Sequence, residues 1–248
     1  MSKGKEMAAS EFKNRVVMIT GAAGNLGRAI SAKFAAQSAR LVLVDYSLPV
    51  VREAAEGLSI PRSRCLTAAG DLGKIRDADA VIAKAVRKFG RIDCLIHTVG
   101  GFAMGEGMHM IDDLSRYERM MYLNAQTTYV MLARVGRHMV EAGTPGAMVA
   151  ILARSGLKGA KGMAEYTAGK AAAERIVQSA AEELKPYNIR VNGVMPSTID
   201  TPLNRRDMPN ADFSKWVTPD QLANVIMFLC SDAASAITGD SIAVYNKA

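Results

Sequence analysis

The stretch VVMITGAAGNLGRAI, residues 16–30, decides how the chain folds. An apolar, β-branched run from Val16 to Thr20 stops at Gly21, and a helical pattern begins at Leu26. Between them Gly21, Gly24 and Gly27 let a phosphate approach the backbone N–H groups at the helix N-terminus. The spacing is closer to T-G-x-x-x-G-x-G than to G-x-G-x-x-G, with Asn25 at the position of the middle glycine. Asn is the side chain that best tolerates a left-handed backbone at such a place. Gly21, Gly24, Asn25, Leu26 and Gly27 are read as a phosphate-binding turn.

The same alternation continues outward. Short apolar runs recur at Leu41 to Asp45, Cys65 to Ala69, Ile92 to Thr98, Ala147 to Ala153, Ile189 to Met195 and Ile242 to Tyr245. Helical patterns separate them: Leu26 to Ser38, Val50 to Gly57, Ile75 to Phe89, Asp112 to Glu141, Ala164 to Leu184 and Pro219 to Ser231. Strands alternating with helices, with little hairpin signal, predict βαβ units and a parallel sheet. No repeat or linker divides the chain, so residues 13–248 are read as one domain behind a flexible lead-in over 1–12. Two connections, Gly100 to Ile111 and Ser197 to Thr218, are long enough to be binding loops or a lid.

Composition excludes several functions. No stretch approaches the roughly 18 apolar residues of a membrane span, and the polar start MSKGKEMAASEF is no secretory signal. Cys65, Cys94 and Cys230 are odd in number and far apart, which suits reduced thiols in a cytoplasmic protein. His97, His109 and His138 lack metal-ligand spacing, so no metal is expected. The net charge of +7 comes from scattered Lys and Arg, not from a basic run interleaved with aromatics. It reads as a solvated surface and not as a nucleic-acid site.

Asp45 ends the second strand, eighteen residues past Gly27. A carboxylate there accepts hydrogen bonds from adenosine ribose hydroxyls and repels a 2′-phosphate. With no cation at Ala22, Ala23, Tyr46 or Ser47, NADH is favoured over NADPH. Asp71 and Leu72, after the third strand, are placed to meet the adenine. In AMVAILARSGLKGAKGMAEYTAGK, residues 147–170, Tyr166 and Lys170 stand four apart on one helical face. An ammonium beside a phenol favours phenolate, and predicts a Tyr166 pKa below the usual value of about 10.

Together, the glycine turn, Asp45 and the Tyr166/Lys170 pair resemble the short-chain dehydrogenase/reductase family, from about Lys13 to Tyr245. The resemblance implies a single doubly wound Rossmann domain, a seven-stranded parallel sheet with helices on both faces. It implies Tyr166 as general acid/base and Lys170 as the residue that binds nicotinamide ribose and tunes the phenol. Asn124 matches the family's Asn, which holds a water in a proton relay. Val99 and Gly100 match the cofactor loop after the fourth strand, and Pro196 the start of the loop after the sixth. Ile199 by its backbone and Thr201 by its hydroxyl match contacts to the cofactor carboxamide. The family's Ser, thirteen residues before the Tyr, is Ala153 here, with Ser155 two residues on.

Dihydropteridine reductase, one branch of the family, also carries Ala at that position. The loop PSTIDTPLNRRDMPNADFSKW and the segment VGGFAMG resemble its loops. The expected activity is hydride transfer from NADH to a carbonyl or a conjugated, quinonoid acceptor. An ordinary 3-oxoacyl- or alcohol-type reductase, or a catalytically silent NAD(H)-binding regulator, are the alternatives. A small-molecule substrate and a homodimer or homotetramer complete the expectation, the Ala-rich helix Ala164 to Leu184 supplying a two-fold contact.

Overall fold

The structure is a computed structural model that describes residues 11–247. Seven parallel strands form one sheet in the order β3-β2-β1-β4-β5-β6-β7. They are β1 (Val16–Thr20), β2 (Arg40–Asp45), β3 (Cys65–Ala69), β4 (Cys94–His97), β5 (Gly146–Ile151), β6 (Ile189–Pro196) and β7 (Ser241–Val244). The strand order reverses between β1 and β4, and a crevice opens at the carboxyl ends of parallel strands where that happens.

Alternation along each strand sorts the core into two layers. Val16, Met18, Val42, Val44, Leu95 and Met148 point to one face of the sheet. There they meet α3 (Ile75–Phe89), α5 (Thr127–Glu141) and α6 (Ala164–Leu184). Val17, Ile19, Leu41, Leu43, Ile96 and Val149 point to the other, onto α1 (Asn25–Ala36), α2 (Leu48–Glu56) and α8 (Pro219–Cys230). Two-sided burial is why these strands read as unbroken apolar runs.

Three details differ from the sequence reading. The helix expected over 112–141 is α4 (Ser115–Met121), then a π-helical turn, Tyr122–Gln126, then α5. The connection after β6 contains a short helix, α7 (Pro202–Asp207), capped by Thr201 Oγ1 accepting from Asn204 N at 3.2 Å. Residues 1–10 of the expected lead-in lie outside the described residues, but Phe12 belongs to the domain. Its ring is buried and meets Phe34 edge-on at 4.8 Å, with Arg15 over its face. No helix among the described residues is long and apolar enough to cross a membrane.

Phe12→Ala is expected to lower unfolding free energy by about 3 kcal/mol, the cost of emptying a buried Phe site. Urea denaturation measures it, and a loss near zero would return Phe12 to a frayed terminus.

Candidate active site

The glycine turn is shaped by what cannot fit. Gly21 has φ +66°, and a Cβ there would lie 2.6 Å from Thr98 Oγ1. A Cβ at Gly27 would collide with the Gly21 carbonyl oxygen, so only glycine lets α1 sit this close to β1. Asn25 is the first residue of α1 and not a left-handed residue; the left-handed position is Gly21. Gly24 is the N-cap and brings no side chain to the first turn of α1, whose N–H groups and dipole therefore face the crevice. Leu26 is buried beneath the turn. This geometry fits a dinucleotide pyrophosphate.

Asp45 sits beside the turn at the end of β2. Its Oδ2 accepts from Ala23 N at 2.9 Å and its Oδ1 from Tyr46 N at 2.8 Å. Each oxygen keeps a further lone pair for a ribose hydroxyl. A cation does stand nearby, contrary to the sequence reading. Arg28 Nε donates to Ala23 O at 2.9 Å, and its Nη2 pairs with Glu53 at 3.2 Å. It was missed because the helix brings back a residue five positions on from Ala23.

Asp71 is already engaged by protein. Tyr122 O–H donates to its Oδ1 at 2.6 Å, Lys74 lies 3.3 Å from Oδ2, and Gly73 N donates to Oδ1 at 3.3 Å. Burial raises the carboxyl's pKa, but these partners outweigh it and hold it below the usual value. Tyr122 is pushed up to about 12 by burial and by that hydrogen bond. The Leu72 side chain lies in the core. The Leu72 side chain thus points away from an adenine, whereas Asp71 Oδ2, with only Lys74 beside it, keeps a lone pair to accept from one.

The reacting groups gather where β4, β5 and α6 meet. Lys170 is buried, and its Nζ donates to Ile151 O, the last carbonyl of β5, at 2.8 Å. Burial brings its pKa down to about 8. Burial also raises the Tyr166 phenol to about 12, which corrects the expected lowering. In this geometry desolvation outweighs any help from the ammonium one turn away. Phe102 meets the Tyr166 ring edge-on, with centroids 5.0 Å apart.

Gly100 lies between Lys170 and Asn124: a Cβ on it would be 3.2 Å from Lys170 Nζ and 2.9 Å from Asn124 Oδ1. Asn124, within the π turn, spends its amide on backbone. Its Nδ2 donates to Gly101 O and Met120 O, both at 3.0 Å, and its Oδ1 accepts from Gly101 N at 3.2 Å. The amide therefore positions the loop after β4, and its Oδ1 keeps a second lone pair for a water. Val99 follows Thr98 against the Gly21 turn.

His97 is a site residue that sequence reasoning passed over. Thr127 Oγ1 donates to Leu123 O at 2.7 Å, so it can only accept from His97 Nε2 at 3.2 Å. The ring is thus the neutral Nε2–H tautomer, and Nδ1 accepts from Thr20 Oγ1 at 2.8 Å. Burial first, then the Lys170 charge, lowers its pKa to about 3.

Ala153 is buried at the end of β5 in extended backbone, where the matching serine is expected. Ser155 lies half-buried on the short turn Arg154–Leu157, and Gly156 N donates to Ala153 O at 2.9 Å. That turn rests on α6, because a Cβ at Gly156 would touch Lys170 at 3.2 Å. Pro196 ends β6. Beyond it, Ile199 pairs with Val217 through its neighbours, Val217 N to Thr198 O and Asp200 N to Val217 O. The amide and carbonyl of Ile199 itself face the other way, where Asn204 Nδ2 donates to the carbonyl at 2.8 Å. Thr201 Oγ1 accepts as the cap of α7, which leaves its proton to donate.

A sequence profile of the family described as short chain dehydrogenase matches residues 15–212. L-rhamnose 1-dehydrogenase (NAD(P)(+)) of Azotobacter vinelandii is 30% identical over 245 residues, covering 93% of this chain and 95% of its own. NAD-dependent glycerol dehydrogenase of Listeria innocua is 29% identical, covering 93% and 92%. The crystal structure of levodione reductase superposes with a TM-score of 0.87 at 25% identity, covering 95% and 97%.

The His97 tautomer carries a pH dependence. Its folded pKa lies below the unfolded value of about 6.5, so between the two the unfolded chain binds the extra proton. Stability is then lost as pH falls from about 6.5 toward 3, by up to about 1.4 kcal/mol per unit. Urea unfolding at pH 7 and 5 should show this slope for the native chain and a shallower one for His97→Gln. An equal slope in both counts against a buried neutral imidazole.

Proposed function

The chain belongs to the short-chain dehydrogenase family, and from that membership we propose that it is an NADH-dependent oxidoreductase acting on a carbonyl or conjugated small-molecule acceptor. The carrying observation is Tyr166, half-buried, one helical turn from the buried Lys170 that Ile151 O fixes at the strand ends; burial favours the protonated form of the phenol. A group in that state is a general acid for reduction.

Bound NADH supplies the hydride. The glycine turn and the α1 N-terminus hold its pyrophosphate, and Asp45 accepts from the adenosine ribose. The Ile199 backbone and the Thr201 hydroxyl orient the carboxamide. Tyr166 gives its proton to the acceptor oxygen. Lys170, fixed by Ile151 O, donates to the nicotinamide ribose and returns a proton to the phenol. Asn124 holds the Gly101 backbone so that this floor stays rigid.

Ala153 removes one donor to the developing negative oxygen, a loss that typically costs about 10²–10³ in rate. This favours an electron-poor, conjugated acceptor over the simple ketones of a 3-oxoacyl- or alcohol-type reductase. A silent NAD(H)-binding regulator is the opposite outcome. A second copy of the chain, packed about a two-fold axis on α5 and α6, completes the proposal; Tyr129 on α5 is exposed.

Tyr166→Phe should lower kcat at least about 100-fold while NADH affinity stays within about twofold. In the native protein the oxidative direction, which needs phenolate, should rise with pH between 7 and 9, and the reductive direction should not. Cofactor binding with no turnover on diketones, quinonoid dihydropterin or simple ketones would establish the regulator instead. NADH should bind at least about tenfold more tightly than NADPH, a gap of roughly 1.4 kcal/mol. Asp45→Ser should close it, because Arg28 remains to meet a 2′-phosphate; a titration of protein fluorescence with each nucleotide measures both.

A further inference from the structure

The connections after β4, β5 and β6 leave the carboxyl ends of three adjacent strands, the side of the sheet on which Lys170 meets Ile151 O and Phe102 meets Tyr166. Of the sixteen large apolar side chains left exposed among the described residues, nine lie on these three connections, which marks a binding surface and not scattered chance. On the β4 connection Phe102 is 64% exposed and Met104 66% exposed. Leu157 follows β5, and Leu203 and Met208 follow β6, all exposed. The methionines are therefore not core packing.

The mouth is also built. Gly105 N donates to Gly162 O at 2.9 Å, joining the β4 and β5 connections. Gly162 has φ +70°, and a Cβ there would lie 3.5 Å from Met104 Cγ. Arg116 presses on Gly105 and pairs with the buried Glu165 at 2.7 Å. Two of the arginines at this rim are already matched. Arg116 is held by Glu165, and Arg205 by Asp200 at 2.6 and 2.8 Å with its guanidinium over Phe213. Asn204 gives its amide to Ile199 O, and the end of β5 presents the Ala153 methyl.

We infer that the acceptor is an apolar, ring-bearing carbonyl compound and not a polyol or sugar; this rests on the hydride-transfer reading above. Phe102 sits edge-on to Tyr166, so one aromatic edge stands beside the proton donor. A flat ring laid on Phe102 brings its carbonyl to the phenol. Thioether side chains adapt to irregular apolar outlines and add favourable sulfur–ring contacts. A polyol entering the same mouth leaves several hydroxyls without partners, and each such group costs about 1–3 kcal/mol.

The test is steady-state kinetics. With NADH, 1-phenylpropane-1,2-dione and butane-2,3-dione are compared; with NAD+, glycerol and L-rhamnose. The aromatic dione is expected to exceed either polyhydroxy substrate in kcat/KM by about 100-fold or more. Phe102→Ser should lower the ratio of aromatic to small dione efficiency about tenfold, a ratio that partial misfolding does not move. Better turnover of glycerol or rhamnose, or an unchanged ratio in the variant, overturns the substrate class while leaving the oxidoreductase intact. NADH binding without turnover of any of the four overturns the functional reading along with it.

Discussion

A buried ammonium needs a partner, and Lys170 has one in the last carbonyl of β5. An unpaired charge at that depth would cost several kcal/mol or shed its proton. The bond therefore fixes where α6 lies along the sheet, and with it the height of Tyr166 above the strand ends. It also dictates its neighbours. The Gly100 backbone passes between Nζ and Asn124, where a side chain would push on both. His97 stays neutral nearby because burial, and after it the Lys170 charge, disfavours a second ring proton. The chemistry of the pocket follows from accommodating one cation out of water.

Much of this was legible in the chain. Each of the seven strands and the helices α1, α3, α6 and α8 fall within a few residues of where apolar periodicity placed them, because two-sided burial writes itself into composition. The glycines were legible for a steric reason, although the left-handed burden falls on Gly21 and not on Asn25. The π turn was not, since one extra residue inside a helix hardly changes an apolar pattern thirty residues long. Phe12 was hidden by polar neighbours; a lone aromatic does not reveal that Phe34 awaits it.

The phenol's acidity was misread for a different reason. Spacing gives the proximity of Tyr166 and Lys170, but not the depth at which they lie, and depth decides the sign. Asn124 shows the same limit. Its place on the helix was evident, whereas its amide partners belong to a loop twenty-three positions away. Arg28 and Tyr122 are further cases, where helical geometry returns a side chain to a partner that linear spacing does not suggest.

The π turn Tyr122–Gln126 carries a consequence for how this protein can change over time. Three of its side chains grip three separate places: Tyr122 on Asp71, Gln126 on the Gly73 carbonyl, and Asn124 on the Gly101 backbone. Removing any single residue there would restore an ordinary α-helix, but would rotate everything on one side by about 100° relative to the other. All three grips cannot survive that rotation. A point substitution disturbs one grip at a time, whereas a one-codon deletion disturbs all three at once.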